Sequence, residues 1–412
     1  MIQMRLAIAI GLILLTAGAE AADLSTGPRL ELRHPGKGHD THVSGAALAA
    51  TTDGPVIAWA AQEGEVNHLY VARLGDGEPK RMRVNPGELT VEGLHHPPRL
   101  VVAPGGEVYL SWSSAKAKPE STLFASDLRL SRSLDAGRTF TGHLRVNEDR
   151  PISHSFDGLA VAPDGTVLVS WIDGREGRRD PSTYLARIVE RGMRVDSVVK
   201  VGDETCVCCR VDAAAGSDGT VALLWRRVFP GDIRDMVLAL SRDGGRSFGD
   251  PGLVHADNWH ITACPHRGGA VGMDGRGRIY ATWYTEGSDV RPDLFFATSD
   301  DGRRFGPRRR LHTSATSIPD LARMAVDPSG RAAIVWEDST AVRRRVLMRY
   351  TTDRGRTLSP VQTLSTAIKA YAPDIAVGRN GEFLVSWHEE QFPHLKTVVQ
   401  AVRLPRTREA TP

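Results

Sequence analysis

Short apolar runs recur along the chain, each opened by a Gly-centred turn and closed by Trp. The segments are Asp53-Gly54 to Trp59, Gly105-Gly106 to Trp112, Asp164-Gly165 to Trp171 and Asp218-Gly219 to Trp225. Three more follow: Gly275-Arg276-Gly277 to Trp283, Ser329-Gly330 to Trp336 and Asn380-Gly381 to Trp387. Seven of the eight tryptophans occupy this slot, at spacings of 53, 59, 54, 58, 53 and 51 residues. That interval suits one propeller blade of four strands. Asp-Gly and Asn-Gly tolerate the positive φ that a tight hairpin needs. In the third unit the pattern predicts a strand over 157–162, the turn, and a second strand over 166–172 ending at the Trp. A third and a fourth strand follow in each unit, and no amphipathic helix of any length is expected.

A second repeat falls between the third and fourth strands. Its copies are Ser133-Leu-Asp135-Ala-Gly137-Arg-Thr-Phe140, Ser241-Arg-Asp243-Gly-Gly245-Arg-Ser-Phe248, Thr298-Ser-Asp300-Asp-Gly302-Arg-Arg-Phe305 and Thr351-Thr-Asp353-Arg-Gly355-Arg-Thr-Leu358. The pattern resembles the Asp-box (bacterial neuraminidase repeat) of the sialidase-like β-propeller superfamily, and it covers nearly the whole of residues 23–412. The resemblance implies that this turn lies on the face opposite the active site. Its Asp and Ser are expected to hydrogen-bond their own backbone and to have no catalytic part. The fold expected is therefore all-β: one propeller of four-stranded blades, seven by the tryptophan count, with the six of sialidases as the alternative. The last unit has room for one strand after its Trp-bearing strand, residues 397–404. Residues 29–33 are expected to add the missing outer strand and so close the ring through the chain ends.

Residues 1–22 read as an export signal: Arg5, then an apolar run from Leu6 to Leu15, then small residues. That run is too short to span a bilayer and no longer one follows, so an exported, periplasmic, monomeric protein is expected. Lys+Arg number 52 against 49 Asp+Glu, a net charge of +3 with no basic run, which argues against nucleic acid as a partner. The 41% apolar content argues against disorder.

The segments leading into the first strand of each unit should share one face with the segments after each Trp. The former carry His39, Asp40 and His42; His95 and His96; His154 and Asp157; Cys206-Val-Cys208-Cys209-Arg210; His260 and Cys264-Pro265-His266; Asp320 and Arg323; Tyr371 and Asp374. Thiolate and imidazole together suit a transition metal, copper first and zinc second. Cys206, Cys208, Cys264 and His266 would be primary ligands, with Cys209 optional. His42, His96 and His154 would be further ligands or groups that orient them. The metal would serve metal handling or redox chemistry. In an exported protein the four cysteines are equally compatible with disulfides. The segments after the tryptophans carry Asp173, Arg175, Glu176, Arg226, Arg227, Glu286, Glu337, Asp338, His388, Glu389 and Glu390, a solvated rim or a surface for a polar ligand.

The family resemblance implies an arginine triad for a substrate carboxylate, a Tyr–Glu nucleophile pair and an Asp acid. An Arg-Ile-Pro start is absent. Arg210, Arg323, Tyr371 and Asp40 are the candidates here, with Asp157 or Asp173 in place of Asp40. Three functions stand open: a metal site, a sialidase-type or other glycan-cleaving enzyme, and a non-catalytic propeller binding a glycan, a protein or a small molecule at its mouth.

Overall fold

A computed structural model describes residues 24–36, 42–75, 77–116, 124–177, 181–287 and 291–405. Residues 1–22, with the expected export signal, and Asp40 lie outside these. Among the described residues every regular element is a strand, and no helix is long and apolar enough to cross a membrane.

Five sheets are four-stranded and antiparallel, each made of four consecutive strands. Their leading strands are Ala47–Thr51, Arg99–Val102, His154–Val161, Asp212–Ala215 and Gly269–Met273. Eight further strands form one sheet. Four of them begin with Ile318–Val326; the others are Lys369–Val377, Phe383–Gln391, His394–Arg403 and Ser25–Arg33. A single parallel bridge, Arg344 with Lys369, joins the two sets. The strand near the amino terminus pairs antiparallel with the last strand, Ser25 opposite Arg403 through Arg33 opposite Lys396. Each leading strand lies beside the next, and Lys369–Val377 lies beside Ala47–Thr51.

The tryptophans explain the repeat. Six apolar clusters lie between neighbouring sheets and a seventh between the two halves of the eight-stranded sheet, and each contains one of the seven: Trp59, Trp112, Trp171, Trp225, Trp283, Trp336 or Trp387. All seven are at most 1% exposed. A large flat side chain at one register position of every second strand fills the wedge between twisted sheets. The second strands run past the Trp, to Phe229 in the fourth sheet, so the Trp is mid-strand and not terminal. Gly165 and Gly219 open two of these strands at φ +84° and +81°, a conformation that disfavours a side chain.

The Ser/Thr–Asp turns are self-contained. Ser133 Oγ accepts from the Gly137 amide at 2.8 Å, and Asp135 accepts from the Arg138 and Thr139 amides. The third copy is one residue shorter than the sequence pattern suggests. Ser299 and Asp301 make the turn, while Asp300 pairs with Arg278. Amides of Arg304 and Arg303, with the Ser299 hydroxyl, hold the Asp301 carboxyl down at about 2. None of these carboxylates lines the cavity described below.

Two neutral histidines sit where the chain ends meet. His34 Nε2 is 2.7 Å from Thr397 Oγ1, and neutral His388 donates from Nε2 to the Ser44 carbonyl, 2.8 Å away, and accepts from the Thr397 hydroxyl at Nδ1. Burial lowers His34 to about 3, helped by the charge of His388, and lowers His388 to about 4. The unfolded chain binds these protons near pH 6.5, whereas the folded chain refuses them until about pH 3–4. Stability is therefore complete above pH 6.5 and is lost as pH falls below it, by about 1.4 kcal/mol per pH unit for each histidine. Urea midpoints at pH 7, 6 and 5 should fall accordingly; an unchanged midpoint across that window contradicts this assignment.

Candidate active site

The leading strands bring seven register-equivalent residues together, each paired with the residue just before a Trp. They are Ala47, Arg99, Gly158, Asp212, Ala270, Arg323 and Asp374. Three small residues leave room and four charged ones use it. A Cβ on Gly158 would lie 2.7 Å from Ser170 Oγ and 3.0 Å from the Val211 carbonyl, so the position admits nothing larger. Arg99 reaches Asp212 at 3.3 Å, and Arg323 reaches Asp374 at 3.8 Å.

Three of these strands bulge just upstream. Register shifts fall between Ser155 and Gly158, Asp320 and Arg323, and Tyr371 and Asp374. Within each bulge a non-glycine residue has positive φ: Phe156 +58°, Leu321 +50° and Ala372 +51°. Such bulges re-aim side chains, and strain of this kind concentrates at functional sites. All three residues line one cavity of about 1000 Å³, the size of a small-ligand site.

Arginines dominate its chemistry. Arg99, Arg210, Arg267 and Arg323 all line it. Arg210 donates to the Asp157 carbonyl at 3.1 Å and to the Pro97 carbonyl at 2.9 Å. Burial lowers Arg210 to about 9 and Arg323 to about 10, and the Arg99 charge pushes both the same way. These guanidinium groups are close enough to repel one another, so the cavity favours an anion. Arg267 pairs with Asp320 at 2.9 Å and covers the Tyr284 ring at 4.6 Å.

Around the arginines sit groups able to move protons. Glu92 is raised by burial to about 7, and its carboxyl lies 3.4 Å from His96 Nε2. Burial lowers His96 to about 3, so it stays neutral. Phe156 stands between His96 and His266, with ring centroids 4.3 and 5.9 Å away. The Tyr284 hydroxyl donates to Glu286 at 2.5 Å, and burial together with this bond raises the phenol well above its ordinary range. Two groups bring three ligand atoms within 4.8 Å of one another: Glu92, His95 and His96, and the Cys206, Cys208 and Cys209 cluster.

Arg210, Arg323, His96, Cys208, Cys264 and His266, all expected from sequence, line the cavity. Cys206 and Cys209 are buried beside Cys208. His42 is exposed away from it, and His154 is buried against the Ser126 carbonyl at 2.7 Å. Tyr371 stands outside the cavity lining, beneath the Arg344 guanidinium at 4.4 Å and beside His388. Asp157 is held by Ser111 and Arg210, and Asp173 by Trp171 and Arg175. The expected rim is largely interior: Asp173, Arg226, Asp338 and His388 are fully buried. Arg99, Arg267, Glu92 and Tyr284 escaped the sequence reading. Arg99 had a signal, because it precedes its Trp by the same thirteen residues as Arg323.

No protein-family model matches the sequence, and no curated protein matches it. Solved structures do. An ulvan lyase of polysaccharide lyase family PL25, bound to -[GlcA(1-4)Rha3S]-, aligns at TM-score 0.57 and 9% identity, over 89% of this chain and 95% of its own. The α-L-arabinofuranosidase Arb93A from Fusarium graminearum aligns at 0.52 and 12% identity, over 90% and 97%. The Hadza microbial sialidase Hz136 aligns at 0.50 and 13% identity, over 90% and 92%. At these identities the likeness is one of fold: an all-β chain of four-stranded sheets consistent with propeller blades.

Proposed function

We propose that this chain is a sialidase-like propeller enzyme that cleaves a carboxylate-bearing glycan in the arginine-lined cavity. The carrying observation is the convergence of Arg99, Arg210 and Arg323 on one cavity, since a guanidinium fork matches a carboxylate geometrically. Reading the eight-stranded sheet as two blades joined at the Arg344–Lys369 bridge gives seven blades, with the Ser25–Arg33 strand completing the last. The Ser/Thr–Asp turns and the glycan-cleaving structural neighbours support the same reading.

In this scheme the arginines hold the carboxylate and Phe156 offers an apolar face to a sugar ring. Tyr284 attacks the anomeric carbon while Glu286 takes its proton. Glu92, protonated below about pH 7, gives a proton to the departing oxygen; water then releases the sugar from Tyr284. This reading displaces Tyr371 in favour of Tyr284 as the nucleophile.

The test is a panel of sialosides and uronate-containing polysaccharides, with products followed by mass spectrometry. Wild-type turnover should fall above pH 7 as Glu92 ionises. The variant Glu92→Gln should lose about 10²–10⁴-fold in kcat and lose that alkaline limb. An unsaturated product would instead mean elimination. No turnover on any acidic glycan overturns the proposal.

A further inference from the structure

We propose that Cys206, Cys208 and Cys209 form a three-thiolate site for monovalent copper beside the cavity, independent of any glycan chemistry there. The three sulfurs come from one short turn, tied by the Cys206 amide to the Arg226 carbonyl at 2.8 Å and by the Cys209 amide to the Cys206 carbonyl at 3.3 Å. This turn directs all three side chains inward. Cys206 Sγ lies 3.2 Å from Cys209 Sγ and 3.9 Å from Cys208 Sγ, and all three fall within 4.8 Å of one another. A metal with bonds of about 2.3 Å to sulfur at the centre of a triangle spaces its ligands about 4 Å apart, close to this arrangement.

The ligand set selects the ion. All three sulfurs belong to buried residues, packed against Phe156 and Val228. Among the described residues no fourth Cys, His, Asp or Glu joins the group. Structural zinc is almost always held by four ligands, so three thiolates with no fourth ligand suit monovalent copper better than zinc. Three thiolates and one Cu⁺ leave a net negative charge. Arg234 Nη1 stands 3.4 Å from Cys206 Sγ to offset it, and itself is fixed by the Ala263 carbonyl at 2.8 Å. Cys264 is exposed and outside the group, so it is not a ligand here.

The experiment uses the full-length protein, reduced and kept free of oxygen, titrated with Cu⁺ against a chromogenic Cu⁺ chelator. One Cu⁺ per chain should be retained. Affinity should fall by more than about a hundredfold in Cys206→Ser and Cys209→Ser, since loss of even an outer partner costs up to that much. It should be unchanged in Cys264→Ser. X-ray absorption of the wild-type complex should show three sulfur neighbours, a readout that does not depend on any variant folding. Failure to hold Cu⁺ against the chelator, wild-type affinity in both variants, tighter retention of Zn²⁺, or a Cys206–Cys209 disulfide that resists reduction would each overturn the site. A glycan-active protein that binds no Cu⁺ sinks this proposal alone; a copper protein without glycan turnover sinks only the other.

Discussion

Replacing Arg323 by Ala should lower kcat/KM on a carboxylate-bearing glycan by about 10²–10⁴-fold. Two charge-assisted hydrogen bonds to one carboxylate, each contributing about 1.5–3 kcal/mol, are removed together. The partner left behind, Asp374, is already pushed up by burial and so takes a proton more readily once its guanidinium is gone. That relaxation limits damage to the fold. The same substrate with its carboxyl reduced to an alcohol should be turned over poorly by the wild type and no worse by Arg323→Ala. Arg323→Lys should recover part of the loss, because it restores charge without the fork. An equal loss on the acidic and the reduced substrate would mean that Arg323 acts through folding instead.

Arg226→Met should destabilise the protein by about 3–5 kcal/mol, because three buried backbone carbonyls lose their donor and each unsatisfied group costs about 1–3 kcal/mol. Arg226 is fully buried, and its guanidinium donates to the carbonyls of Arg234 at 2.7 Å, Arg267 at 3.1 Å and Tyr284 at 2.6 Å. It also lies over the Trp259 ring at 4.7 Å. One side chain thus clamps the fourth sheet to the fifth and fixes the backbone of two cavity residues. Denaturant unfolding should show the loss, and the remaining folded protein should show a lowered kcat, because Tyr284 and Arg267 lose their anchor. A variant as stable as the wild type would contradict this role.

The tryptophan spacing made the sheets legible because one large residue per unit fills each wedge between sheets, and that demand recurs at every interface. The pairing of the chain ends was legible for a similar reason: the last unit is one strand short. The cavity was only half legible. Arg210 and Arg323 stood out beside cysteines and aspartates, but Arg99 follows two prolines and matches Arg323 only when the repeats are aligned at their tryptophans. Tyr284 adjoins Trp283 in an apolar run and carries no signal in the sequence; its bond to Glu286 and its cover by Arg267 arise only from the fold. Tyr371 drew attention by its place in the last unit. The bulge between Tyr371 and Asp374, invisible to a strict two-residue period, brings Ala372 and Pro373 to the cavity while Tyr371 packs beside Arg344 and His388. The charged residues after the tryptophans read as a rim because charge usually means solvent. Their burial reflects internal pairing, as with Asp338, His312 and Arg345.

The most direct test of the central claim is calorimetric titration of Glu92→Gln protein, which should bind without cleaving, with an acidic oligosaccharide and with its carboxyl-reduced counterpart. Binding of the acidic form that weakens at least about tenfold on reduction of the carboxyl, and on Arg99→Ala or Arg323→Ala, is the predicted result. Equal binding of both forms, or binding of neither across sialosides and uronates, would contradict the arginine-lined cavity as a site for acidic glycans.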